Sequence, residues 1–255
     1  GSKKERVPGS PALIVYSILS GLQRVKSEKS KPEFNLDWKL VLVESHPSHF
    51  ASLRKSLAEF QLEQYVHSGN IEFHNAEFAE KFDYCIDIAR SRKGTSFFFL
   101  DPYGYTQLNV GHLLQIMRLK NAEVLLNFMM EFIERFLDSP KERESFNMRW
   151  NAEAYFQDVR LLSANQDMKQ RYLQDETAKL LRAESRFYYV YIFSLLKTIS
   201  RAKYYLVHLA NHQTAQQVVK EALWKYNSVY SFSGHSYWAN GMAYMVPENP
   251  AQQSL

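Results

Sequence analysis

Along the first 130 residues, apolar positions recur with two alternating periods. Leu13, Ile14, Val15, Ile18, Leu19 and Leu22 follow Ser10-Pro11, a helix start in which Ser10 serves as N-cap and Pro11, needing no amide hydrogen there, as the first helical residue. A polar stretch, 26–31, closing at Pro32 predicts a surface loop. Residues 39–43 form a short, continuous aliphatic run ending in Glu44, the pattern of a strand covered on both faces. Residues 48–60 then place Phe50, Leu53, Leu57 and Phe60 three or four apart, which predicts a helix lying on the sheet. After a turn at Ser68-Gly69-Asn70 come a brief strand at 71–74, a helix at 82–89, a strand at 96–100, a helix at 110–119 and a strand at 122–128. The run at 96–100 is the strongest strand signal and stops at Asp101-Pro102-Tyr103-Gly104. A turn is forced there, because proline removes a ladder donor and glycine accepts a positive φ.

Strands alternating with helices at this spacing predict an α/β fold with βαβ crossovers and a mostly parallel sheet, whose ligands bind beyond the carboxyl ends of the strands. Glu44, Glu77, Asp101 and Asn127 are then expected side by side on one edge of one sheet. From residue 130 to 185 the pattern turns charged and helical, with Phe132, Ile133, Phe136 and Leu137 followed by a long stretch at 152–183; this predicts a helical insertion or cap. Two β-like runs, 187–193 and 204–209, and a helix at 214–226 are expected to complete, within 186–247, the core begun by 1–129. The polar tail, 248–255, reads as loose.

Composition narrows the class. The 255 residues are 45% hydrophobic and 23% charged, which argues against disorder or a fibrous protein. A net charge of +4 permits contact with nucleic acid without requiring it. The aromatic content, 15%, admits stacking platforms for planar ligands as well as packing. One cysteine, Cys85, excludes an internal disulfide and points to a reducing cytoplasm. No apolar run approaches the ~20 residues that span a bilayer, so no membrane partner is expected.

Glu44 at a strand tip has the position from which a carboxylate accepts both ribose hydroxyls of a nucleoside cofactor; a helix-capping glutamate would look the same. Asp101-Pro102-Tyr103 joins an acid, a rigid proline and an aromatic at a strand exit. That is a way to hold a flat, amine-bearing substrate such as a base, and equally a capped structural turn. Cys85, among Tyr84, Ile86 and Ile88, reads as a packed small hydrophobe rather than a nucleophile. The pairs His46/His49 and His208/His212 lack the carboxylate support of a metal site, so no metal is expected. No phosphate-binding loop, nucleophile elbow or glycine-rich dinucleotide fingerprint occurs.

Taken in order, Gly9-Ser10-Pro11 entering a helix, 40–44, 75–78, Phe98-Phe99-Leu100-Asp101-Pro102-Tyr103-Gly104, 124–128, and 204–212 with Leu223-Trp224 after it resemble the three-Cys-motif partner proteins. These are a bacterial, methyltransferase-like family encoded beside a radical-type protein with three cysteines. The resemblance implies a Rossmann-like methyltransferase sheet, S-adenosylmethionine as cofactor, and that three-cysteine protein as partner. It places Glu44 at the ribose, Ala76 and Glu77 beside the adenine, and Gly9, Ser10 and Pro11 on the cofactor side. Asp101, Pro102 and Tyr103 would face the methyl group or substrate. In similar proteins a first strand and an Asp-x-Phe-Ala-Gly-x-Gly loop precede the Gly-Ser-Pro element. Residues 1–8 contain neither, which leaves two expectations: a further segment carrying them, favoured because a doubly wound sheet without its first strand would leave its neighbours unpaired, or a degenerate cofactor site. Three functions follow as expectations: a methyltransferase, with nucleic acid as one candidate substrate; a non-catalytic scaffold of the same fold; and, ranked last, a metal-dependent nuclease built on Glu44, Glu77 and Asp101.

Overall fold

The computed structural model describes residues 8–28, 31–102, 106–129, 139–157, 166–198, 201–225, 229–233 and 236–243. The expected helix at 132–137, part of the stretch at 152–183 and the tail lie outside them. The chain divides into two compact units, Gly1–Cys85 and Ile86–Leu255.

In the first unit, helix α1 (Ser10–Glu28) begins one residue earlier than expected, with the Gly9 carbonyl accepting the Leu13 N–H at 3.1 Å. Strand β1 (Leu40–Val43) is followed by α2 (Pro47–Glu59), a short α3 (Glu63–His67), strand β2 (Ile71–His74) and α4 (Phe78–Ser91), which runs on past the unit boundary. β1 and β2 pair in parallel, Leu40 opposite Ile71 and Val43 opposite His74. Strand alternation sends Ile71 and Phe73 into a core with Ala12, Val15, Leu57 and Leu62, and so turns Glu72 and His74 to the other face. The turn between α3 and β2 uses Gly69 at φ 79°, a conformation that side chains with a Cβ resist.

In the second unit, β3 (Ser96–Leu100) is followed by α5 (Val110–Met117), β4 (Ala122–Met129), α6 (Pro140–Trp150), a single 3-10 turn (Ala152–Ala154), α7 (Gln166–Ser185), β5 (Tyr189–Thr198), β6 (Arg201–Ala210), α8 (Gln213–Trp224), β7 (Val229–Ser233) and β8 (Ser236–Ala243). They build a six-stranded sheet in the order β3-β4-β6-β5-β8-β7. β3 and β4 are parallel, β6 is antiparallel to both β4 and β5, β8 is parallel to β5, and β7 is antiparallel to β8. The sheet is therefore mixed rather than mostly parallel. The reason is local: only two residues join β5 to β6, far too few for the crossover that a parallel neighbour needs.

A second correction concerns continuity. Among the described residues β1 and β2 form a sheet of their own, so Glu44 and Glu77 on one hand, and Asp101 and Asn127 on the other, end strands of separate sheets. A parallel sheet grows only through lateral backbone hydrogen bonds, and no described strand pairs with the second side of β1 or of β3.

The helices of 140–185 are fastened to the larger sheet. Phe146 and Trp150 of α6 are 0% and 1% exposed; both rings meet Phe128 of β4, and Phe146 also meets Phe156. From α7, the Gln174 side chain donates to the Ile192 carbonyl of β5 at 3.4 Å. On this face Val124, Leu126, Val207 and Leu209 are wholly buried. The opposite face carries Glu123, Asn127 and His208, as register with Leu125 dictates. No described helix is long and apolar enough to cross a membrane.

Candidate functional site

Two strand exits carry the candidate chemistry, one in each unit. In the first unit, Glu44 directly follows β1, and its N–H extends the ladder to the His74 carbonyl at 3.0 Å. Its carboxylate is partly buried, and Oε1 accepts the N–H of His46 at 2.8 Å. His46 is the N-cap of α2, so Glu44 does serve the helix start. The other carboxylate oxygen takes no described partner. His46 and His49 place their rings 4.6 Å apart, His49 Nδ1 lies 4.0 Å from Glu44 Oε1, and the Ser48 hydroxyl meets His46 Nδ1 at 2.8 Å.

Asn75, the first residue after β2, donates through Nδ2 to the carbonyls of Glu44 and Ser45, at 2.8 and 3.0 Å. It thereby staples the exit of β1 to the exit of β2. Ala76 follows, half-buried, and then Glu77, exposed. Glu77 precedes α4 and works through its backbone: its N–H donates to Glu80 Oε2 at 3.2 Å, and its carbonyl accepts the Glu80 N–H at 3.1 Å. These are the contacts of a helix N-terminus. Gly9, Ser10 and Pro11 open α1; Gly9 and Ser10 are exposed, and no described hydrogen bond ties the three to Glu44, Ala76 or Glu77.

Behind this exit lies a polar cluster that the sequence pattern did not reveal. Glu72 accepts Lys39 Nζ at 2.6 Å on Oε2. On Oε1 it accepts His74 Nε2, at 2.8 Å, and the Tyr84 hydroxyl. Burial alone pushes the Glu72 carboxyl up, but the donors from Lys39, Tyr84 and His74 outweigh it and hold the group down to about 2. The same bond, aided by burial, pushes the Tyr84 phenol up to about 12, so it stays a donor. Beside it the Cys85 thiol is raised, by burial first and by the Glu72 charge second, as befits a packed side chain rather than a nucleophile.

In the second unit, Leu100 lies opposite Leu126, which brings Asp101 beside Asn127. Asn127 Nδ2 donates to Asp101 Oδ1 at 2.8 Å, while its own Oδ1 is buried without a partner. Asp101 therefore emerges oriented, with an unfilled acceptor next to it. Pro102 follows; Tyr103 and Gly104 lie outside the described residues. Arg149 of α6 donates to the Thr106 carbonyl at 2.8 Å, so the helical segment after β4 also holds the far side of this loop. Nothing in the sequence singled out Arg149, since its partner is a backbone atom 43 residues away. Among the described residues no group of three or more His, Cys, Asp or Glu gathers to hold a metal ion.

This is a mixed α/β protein with two hydrogen-bonded, acid-bearing strand exits. No family model matches the chain, and no curated protein matches it.

Proposed function

We propose that this is an S-adenosylmethionine-dependent methyltransferase-like protein, similar to the three-Cys-motif partner proteins, that acts on an amine-bearing substrate, nucleic acid included, together with a partner protein. The order β3-β4-β6-β5 carries the proposal: a parallel pair, then a reversed strand inserted beside β4 with β5 outside it. The donor and acceptor set fits the nucleoside end of the cofactor. Glu44 keeps one carboxylate oxygen for the ribose hydroxyls, and Ala76, half-buried and next in sequence to the Asn75 that binds the Glu44 carbonyl, offers an apolar contact for the adenine. The bound cofactor supplies the electrophilic methyl group. Within the second unit, Asp101, held by Asn127, offers by itself an oriented acceptor of the kind an exocyclic amine would need.

Isothermal titration of S-adenosylmethionine into the intact native protein tests this. One saturable site is expected, weakened roughly 10- to 100-fold by Glu44→Ala, the usual worth of a charge-assisted hydrogen bond. Absence of binding to the native protein refutes the proposal.

One observation favours a second function, a non-catalytic scaffold of the same fold. Much of the polar capacity at both exits is consumed internally: Glu44 Oε1 by His46, Asn75 Nδ2 by two carbonyls, and Asp101 Oδ1 by Asn127. Stable association of the native protein with a partner, without measurable cofactor affinity, supports that alternative. Deleting 130–185 would be a poor test of docking, because Phe146 and Trp150 would leave the core; Met148→Lys, on the exposed face of α6, probes the surface alone.

A further inference from the structure

We infer that Glu72, acting through Tyr84 and Asn75, is the positioning hub of the β1/β2 exit and sets the placement of Glu44. Three residues, Asn75, Ala76 and Glu77, connect β2 to α4. A connection this short has little slack, so any rocking of the helix is passed to residue 75, and the geometry of the exit depends on what fixes the helix against the strand. The Tyr84 hydroxyl in the second turn of α4 supplies that tie, closing the connection onto Glu72 of β2. The Tyr84 ring also packs edge-on against His74, the last residue of β2, with centroids 5.1 Å apart. Glu72 is itself held: Lys39, just before β1, binds its second oxygen at 2.6 Å. Lys81 lies 5.7 Å from the Tyr84 ring centroid. One carboxylate thus links the approach to β1, the end of β2 and the start of α4.

The consequence reaches Glu44 through Asn75. Its single Nδ2 serves two carbonyls, those of Glu44 and Ser45, and both bonds hold only while the backbone of residue 75 stays within a few tenths of an ångström. The path from Tyr84 to Glu72, along β2 to Asn75 and across to Glu44 lies wholly in the first unit. Glu72 and Tyr84 touch nothing assigned to a ligand; they act on the exit through the loop. Their value for cofactor binding rests on the methyltransferase-like function proposed above, whereas the mechanical link does not.

Hydrogen exchange on the intact, ligand-free protein separates the two. Tyr84→Phe keeps the ring against His74 and removes the hydroxyl. Exchange is expected to rise about tenfold at the hydrogen-bonded amides of Glu77 and Glu80 and at those of Glu44 and His46, while Leu57, Leu62 and Ile71 in the core keep their protection. Asn75→Ala is expected to expose the same Glu44 and His46 amides and leave α4 beyond Lys81 unchanged. No change on Tyr84→Phe, or an equal rise across the whole unit including the core, overturns the positioning role. So does loosening of α4 by Asn75→Ala. Failure of the native protein to bind S-adenosylmethionine overturns the proposed function alone, because the exchange pattern is read without ligand.

Discussion

Acidification should destabilise the second unit through one residue, His208. It sits in β6, 0% exposed, with Nε2 3.0 Å from Glu123 Oε2 of β4. Because a carboxylate only accepts, Nε2 carries the hydrogen and donates, and Nδ1 is left as a buried lone pair without a partner. Burial lowers the pKa of His208 below 6.5 and outweighs the opposing pull of Glu123. The unfolded chain therefore takes up a proton near pH 6.5 that the folded chain still refuses. Above 6.5 the two states bind equally and stability is flat. As the pH falls from 6.5 toward the folded value, one proton of difference costs about 1.4 kcal/mol per pH unit. With a urea m-value of roughly 1–3 kcal/mol/M, the midpoint drops by roughly 0.5–1.4 M per unit. The informative quantity is the difference from His208→Phe, which isolates this one side chain. That variant fills the site, removes the unpartnered Nδ1, and leaves Glu123 with access to water, its side chain 24% exposed. Urea melts by circular dichroism at half-unit steps from pH 8 to 5 should show a constant gap between the two curves above pH 6.5 and a wild-type curve that falls relative to the variant's below it. Parallel curves throughout would refute the buried, neutral histidine.

Two further changes test the packing and the backbone. Phe146→Ala removes a 0% exposed ring that touches Phe128, Trp150 and Phe156, and should cost about 3–5 kcal/mol in urea unfolding; a loss under about 1 kcal/mol would mean that α6 is a loosely attached cap. Gln61 follows α2 at φ 58°, with its N–H on the Ala58 carbonyl and the Leu62 N–H on the Leu57 carbonyl, both bonds of a Schellman end. Gln61→Gly should raise stability by about 0.5–1 kcal/mol, since glycine enters the left-handed region without the Cβ penalty; a destabilised variant would contradict that backbone.

The strongest elements were legible because their signal is local. Phe97 to Leu100 and the aliphatic run before Glu44 are strands in the structure, and the helices α2, α5 and α8 fall within a few residues of their apolar periods. The exits were legible too, since Asp101 and Glu44 directly follow apolar runs. The partners were not: Asn127 meets Asp101 across 26 residues, and His208 meets Glu123 across 85. β7 and β8 went unpredicted because their serines, glycine and asparagine interrupt any apolar run. The role of Glu72 was hidden for another reason. An acid in a four-residue strand reads as solvent-facing, and only Tyr84, twelve residues on, and Lys39, from the other side of β1, turn it into a shared acceptor.

By itself the sequence determined where the chain is extended, where it is helical and which side chains stand at the strand ends, because those follow from periods of two and 3.6 residues and from proline and glycine placement. Only the tertiary structure decided that the strands divide into two sheets, that β6 runs backward between β4 and β5, and which polar atoms lose their water. Strand pairing is made by backbone groups common to every residue, so the identity of a strand's neighbour is written in the packing of both faces and in the lengths of the connections.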